Sequence, residues 1–280
     1  MSQYRIVHTT GYRYEGGAND SFNEARMTPL TSRRQLVLSS RLDITPVAWT
    51  HPHRDYWGTS AVAFEVHERH AELKVVATST VDIHEVSRTE ESLGWEGLAD
   101  ANLRDKHVEY LTMTDYVRPH RDVARLAESI RKHAATPTDA VEQLTSKLRE
   151  KVSYVPGVTK VNTLASEVWE HGAGVCQDIA HLTIGALRHI GVPTRYVSGY
   201  VVTSKDPEVG ETMVGESHAW IQYFDGEWLG FDPTNQSTPS GTHVEVGFGR
   251  DYSDVAPLTG IYTGSSGSEM YVSVEMTRLT

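Results

Sequence analysis

The spacing of apolar residues changes from period two to helical partway along this chain, and that change restricts the fold more than any other feature. Up to residue 85 the period is two. Tyr4, Ile6 and His8 alternate with other residues, as do Leu36 and Leu38, then Val62, Phe64 and Val66, then Leu73 and Val75, then Val81 and Ile83. Such runs predict strands with one buried face, and the spacers EGGANDS and TPVAWTHPHRDYWGT read as loops between them. From residue 121 the spacing is helical. Val123, Leu126, Ala127, Ile130 and Ala134 share a face; after a Thr-Pro start signal, so do Val141, Leu144, Leu148 and Val152. Residues 86–120 are less regular and read as a connection. The first region thus reads as a small antiparallel sheet or sandwich, and helices follow it.

The partners that charge permits are few. The net charge is −11, with 26 Lys and Arg against 37 Asp and Glu. This argues against nucleic acid, which needs clustered cations, and against an anionic membrane surface. The start MSQYRIVHTT holds no apolar run of signal-peptide type, and no stretch is long enough to span a membrane. With a single cysteine, no internal disulfide can form. The expectation is a cytoplasmic protein without nucleic-acid or membrane partners.

That cysteine stands in GAGVCQD, at the entry of another helical run: Ile179, Leu182, Ala186, Leu187 and Ile190, with Gly191 and Pro193 as a stop. Gly172 and Gly174 let the chain turn and approach closely before it. A helix N-terminus offers free N–H groups and a partial positive charge. Both favour thiolate over thiol, and the N–H groups can hold an oxyanion. A structural cysteine, as a small buried hydrophobe, would sit better in mid-helix.

A thiolate nucleophile needs an imidazole and an orienting partner. Among 14 histidines the informative one is His218, in ESHAWIQYFDGEWLGFDPTNQ. HAWIQYF and EWLGFD read as two strands of a hairpin. A two-residue Asp225-Gly226 loop would pair Ala219 with Asp232 and turn His218 to the wrong face. A three-residue Phe224-Asp225-Gly226 loop, with Gly in the left-handed position, sets His218 directly opposite Asp232. The strand RYVSGYVVT at 195–203 precedes this hairpin. The tail GSEMYVSVEMTRL alternates Met270, Val272, Val274 and Met276 and reads as a last strand, a candidate to pair with the N-terminal sheet.

GAGVCQDIAHLTIGALRHIGVPTRYVSGYV, ESHAWIQYF and GEWLGFDPTNQ together resemble the core of the transglutaminase-like superfamily over about residues 137–237. YRIVHTTGYRYEG, SFNEARMTP and DYWGTSAVAFEVHERHAELKV resemble the β-domain that precedes this core in bacterial members, and GRDYSDVAPLTGIYTG resembles the same group. The resemblance implies a papain-like α+β core, a helix-entry cysteine packed on an antiparallel sheet, preceded by a small antiparallel β-domain. It divides the chain into a β-rich region (1–115), the core (116–245) and a C-terminal segment (246–280). It implies Cys176 as nucleophile, His218 as base then acid, and Asp232 as its orienter. A side-chain oxyanion donor upstream of the cysteine is also implied, with Tyr154 the first candidate and Trp169 the second. Gln177 and Asp178 read as structural, and Asn23, Glu24 and Arg26 form a polar group with no role in the reading. The family often has a basic residue where this chain has Gly172-Ala173, a departure that bears on the substrate groove.

The expected chemistry is acyl transfer through a thioester, without a cofactor. The first reading is a cysteine peptidase or amidase, because water needs no special site. The second is a transglutaminase-type acyltransferase with a primary amine as second substrate. The third is a non-enzymatic binding or assembly module, for which an intact triad would be superfluous. The partner in the first two is a peptide or protein amide. No metal is expected: the histidine pairs in HPH (51–53) and HERH (67–70) lack a complete ligand set, and no acidic loop has EF-hand spacing.

Overall fold

The computed structural model describes residues 2–202, 207–264 and 267–280. The first 85 residues form five strands: β1 (Ser2–Ala25), β2 (Gln35–Thr45), β3 (Trp49–Arg54), β4 (Ser60–Val66) and β5 (His70–Ile83). Both expected loops are in part strand. EGGANDS lies inside β1, where Gly16 and Gly17 take φ of 77° and 85° and the register shifts, so it is a bulge. Trp49–Arg54 is an edge strand with almost no buried face, so it carries no alternation to read, and Pro52 is tolerated there.

The connection at 86–120 holds α1 (Gly94–Leu98) and α2 (Ala101–Lys106). Then come α3 (Arg121–His133) and α4 (Pro137–Lys151). Thr136 caps α4: its hydroxyl accepts from the Asp139 N–H at 3.1 Å, and the Asp139 carboxylate accepts from the Thr136 N–H at 3.0 Å. Beyond it lie β6 (Ser153–Tyr154), α5 (Ala165–His171), β7 (Ala173–Gly174) and α6 (Cys176–His189). The expected stop after α6 is a Schellman turn. Gly191 takes φ 84°, its N–H donates to Arg188, and the Val192 N–H reaches back to Leu187. Helix α6 is buried from Asp178 to Arg188, lying between the other helices and the sheet. At Gly185 a Cβ would collide with the Val117 carbonyl oxygen, so only glycine permits this approach.

The remaining strands are β8 (Thr194–Val201), β9 (Thr212–Phe224), β10 (Trp228–Phe231), β11 (His243–Gly249), β12 (Leu258–Gly264) and β13 (Ser268–Arg278). Thr203, at the end of the strand expected over 195–203, lies outside the described residues. Hydrogen bonding runs continuously through β11-β8-β9-β13-β1-β4-β3, with β10 and β13 on different stretches of β9 and β5 on β1. The last strand therefore lies between β1 and β9 and joins both ends of the chain to the core sheet. Behind this junction Ile6, Val81, Tyr200, Val246, Val274 and Met276 pack into one apolar cluster. Each such burial is worth roughly 1.5–3 kcal/mol, so the N-terminal strands are held to the core by packing as well as by the ladder.

Candidate active site

The approach to Cys176 is built by short-range geometry. Gly172 closes α5 with φ 70°, and β7 then runs parallel to β6, pairing Tyr154 with Gly174. A Cβ on Gly174 would collide with the Asp178 side chain. Asp178 is buried in the first turn of α6, where its carboxylate accepts from the Val175 N–H at 2.8 Å and the Thr159 hydroxyl at 2.6 Å. Gln177 donates to the Val161 carbonyl at 2.8 Å. These two residues pin the 159–161 loop to the helix entry and leave the partly buried Cys176 as the first helical residue.

His218 lies in a gap of the sheet. One edge of β9 pairs with β8 from residue 216 to 223. The opposite edge pairs with β13 at 212–215 and with β10 at 221–224. Among the described residues, 216–220 have no strand on that side, and a cleft opens there. The His218 Nε2–H donates to Asp232 Oδ2 at 2.7 Å, leaving Nδ1 for the Cys176 thiol, which lines the same cavity and favours the charged imidazole. Burial opposes charge on His218, but the bond to Asp232 and the nearness of Cys176 outweigh it and raise its pKa to about 10.

The hairpin reaches this geometry by a register other than the expected one. Phe224 pairs with Trp228 and Ile221 with Phe231, so the loop is Asp225-Gly226-Glu227 and Phe224 belongs to the strand. Asp232 is not directly opposite His218; it lies beyond β10 and reaches the imidazole diagonally. The register differs from the expected one by two residues, and an even shift keeps both residues on one face. Contacts from the 86–94 connection set the turn. The buried Asp225 carboxylate accepts from Ser92 at 2.7 Å, the Leu93 N–H at 2.9 Å and Arg88 at 3.2 Å. Glu227 accepts from the N–H groups of Thr89 and Glu90 at 2.6 and 2.9 Å.

Asp232 is fully buried and saturated with donors. Oδ1 accepts from the backbone N–H of Thr234 at 2.9 Å and of Asn235 at 3.2 Å. Oδ2 accepts from His218, from Asn235 Nδ2 at 2.7 Å and from His243 Nε2 at 3.2 Å. Burial alone would raise this carboxyl; the bonds from His218 and His243 reverse that and hold it far below the usual range. His243 and Asn235 are absent from the expected site. The Asp-Pro-Thr-Asn turn carries a signal for Asn235, since an aspartate before such a turn captures the N–H groups that follow it. His243 carries none, because its position comes from pairing with Val201 on β8. His218, Asp232 and His243 also bring three ligand-type atoms within 4.8 Å of one another, but these atoms already hydrogen-bond to each other.

Tyr154 stands at the mouth of the cleft, on a wall shared with His218, Glu216 and Asn235. Burial first, then the nearness of Cys176 and Glu216, pushes its phenol up. Trp169 is elsewhere: it is buried in the helical core with the Lys151 ammonium over its ring at 3.8 Å. Asn23, Glu24 and Arg26 do not line the cleft, although the Arg26 N–H donates to the carbonyl of Pro257 on its wall at 2.8 Å. Arg26 bridges Glu24 and Asp55, and Glu24 reaches His53, so the group ties the end of β1 to β3 and the turn after it. His51 and His53 stack on the exposed edge strand, and His67 pairs with Asp20 and Glu65.

Two sequence models match the chain: the bacterial transglutaminase-like N-terminal region over residues 4–82 and the transglutaminase-like superfamily core over residues 124–233. An uncharacterized protein of Mycobacterium leprae is 41% identical over 279 residues, covering 100% of both chains. An uncharacterized protein of Mycobacterium tuberculosis is 34% identical, covering 98% of this chain and 92% of its own. The fold is shared with a Cytophaga hutchinsonii chain described as a candidate cysteine protease, at a TM-score of 0.77 and 23% identity over 100% of this chain and 91% of that one. The protein belongs to the transglutaminase-like superfamily, in the form that carries the bacterial transglutaminase-like N-terminal region.

Proposed function

We propose that this cysteine-dependent enzyme hydrolyses an amide bond through a thioester on Cys176, with His218 and Asp232 completing the triad. One observation carries the reading: a single imidazole is hydrogen-bonded to a buried aspartate saturated with donors and shares one cavity with the helix-entry cysteine. In the first half-reaction the Cys176 thiolate adds to the carbonyl carbon, and the oxyanion that forms faces the free N–H groups of the first turn of α6. Tyr154 is the side-chain donor best situated to assist. His218, as imidazolium, gives its proton to the leaving amine as the C–N bond breaks, and the acyl group stays on sulfur. In the second half-reaction His218 takes a proton from water, hydroxide adds to the thioester, and the carboxylic acid leaves as Cys176 is regenerated. Asp232 holds the Nε2–H tautomer and supports the imidazolium throughout.

The test is mass spectrometry of a library of glutamine-containing and isopeptide-linked peptides, incubated with wild type and Cys176→Ala, with and without a primary amine. Cys176-dependent gain of water at an amide, indifferent to the amine, is the expected result. Amine adducts formed at the expense of hydrolysis would instead make the protein an acyltransferase. Conversion that persists in Cys176→Ala would remove the nucleophile from the account.

A further inference from the structure

Two cavities meet at His218, and they differ in chemistry. The larger, about 750 Å³, carries charged side chains, Arg149 and Glu216, together with Asn235. The smaller, about 210 Å³, contains Cys176 itself and lies below the ~300–1,000 Å³ typical of drug-sized ligands, so it fits a single side chain. Apart from Cys176 and His218, no described residue lining it is an acid, a lysine or an arginine.

Both ends of the chain build this smaller cavity. His8 and Thr10 of β1 pair with Val274 and Val272 of β13, so these residues share one face of the sheet. On β13 that face is Met270, Val272, Val274 and Met276. Val274 and Met276 are buried in the core, whereas Met270 and Val272 are 44% and 47% exposed and line the cavity. The apolar face of the core thus continues into the cleft beside the thiol. His8, also on the wall, is 2% exposed. Its Nδ1–H donates to the Tyr200 oxygen at 2.9 Å, since the Tyr200 hydroxyl proton goes to the Met27 carbonyl. Burial lowers its pKa to about 4, so at neutral pH it adds no charge. In acyl transfer the acyl part stays on sulfur while the amine departs, so the cavity that holds the sulfur retains the acyl part.

We propose that the cavity formed by His8, Thr10, Met270 and Val272 beside Cys176 is the acyl-side specificity pocket and selects substrates with one uncharged, mainly apolar side chain there. This rests on the reading of Cys176 as an acyl-accepting nucleophile. A charged side chain would have to leave water for a wall whose only charged groups are the Cys176–His218 pair itself, which is strongly unfavourable.

The test uses N-acetyl-X-acyloxymethyl ketones with X = Leu, Met, Asp or Lys, whose labelling needs the thiolate and the pocket but not turnover. The thiolate displaces the acyloxy group as a carboxylate and forms a thioether. Labelling rates at Cys176 are read by mass spectrometry, each divided by the iodoacetamide rate of the same variant so that changes in thiol reactivity cancel. Leu and Met ketones should label wild type at least about tenfold faster than Asp and Lys ketones. Val272→Lys and Met270→Lys should abolish the advantage of Leu over Asp, while Ile261→Lys, on an exposed part of β12, should keep it. Equal rates across the four ketones, or wild-type selectivity in both β13 variants, would overturn the pocket while leaving the nucleophile in place. Failure of every ketone to label Cys176 faster than free glutathione would overturn the nucleophile and the pocket with it.

Discussion

His218 and His181 are both buried imidazoles with an aspartate nearby, yet their surroundings drive them in opposite directions. His181, inside α6, is 0% exposed, and its Nε2 accepts from the Tyr252 N–H at 3.1 Å. Its proton is therefore on Nδ1, which has no partner. Burial lowers its pKa to about 4; Asp251 opposes this and Arg188 reinforces it. His218 uses its Nε2–H as a donor to a carboxylate at 2.7 Å and keeps Nδ1 for the thiol, and its pKa rises to about 10. An aspartate in the vicinity does not make an imidazole a proton carrier. A direct bond to the carboxylate does, together with a second nitrogen left for the thiol. An imidazole that accepts from a backbone N–H is locked neutral and serves the core.

Substitutions on each side can break this contrast. The largest effect is expected at the catalytic pair: His218→Phe should lower turnover on the order of 10³-fold or more, measured on whichever peptide the library identifies. Asp232→Asn should follow closely, because the amide presents an altered hydrogen-bonding pattern to His218 Nε2; wild-type turnover in this variant would make the pair structural only. His243→Gln should cost about tenfold in kcat with little change in KM. It loosens Asp232 while the stronger bonds from His218 and Asn235 remain. A loss confined to KM would point to substrate contact instead.

Stability against pH sharpens the same contrast. His181 has a lowered folded-state value, so its contribution is complete above the unfolded pKa of ~6.5 and is lost as pH falls towards about 4. Between pH 7 and 5 this amounts to about 2 kcal/mol. His8, also lowered to about 4, acts over the same window. His218 has a raised value, so its contribution is complete below ~6.5 and is lost as pH rises towards about 10. In urea unfolding, His181→Gln, which retains an acceptor for the Tyr252 N–H, should flatten the acid side, and His218→Gln the alkaline side. Turnover in His181→Gln should change least of all, staying within about twofold of wild type.

The parts that could be read in the sequence are those where one face is buried and the other is not. Helix α6 and its Gly-Pro stop, the alternation of β13 and the shared face of His218 and Asp232 all belong to this class. The face survived an error in register because side chains repeat every two residues along a strand. The register itself depends on Ser92, Leu93 and Arg88 gripping Asp225, contacts more than 130 positions apart in sequence. His243 was hidden for the same reason, reaching Asp232 only through the pairing of β11 with β8. Strand β3 was hidden because an exposed edge has no apolar rhythm, and Tyr154 and Trp169 looked alike until β6 carried one to the cleft and α5 carried the other into the core.

The most direct measurement is the rate of Cys176 alkylation by iodoacetamide across pH 5–9 in wild type, His218→Ala and His181→Gln. An imidazolium that holds the thiolate predicts fast alkylation near pH 6 in wild type, a rate at least about tenfold lower in His218→Ala, and a wild-type profile in His181→Gln. Identical profiles in wild type and His218→Ala would contradict the account, because His218 would then have no part in activating Cys176.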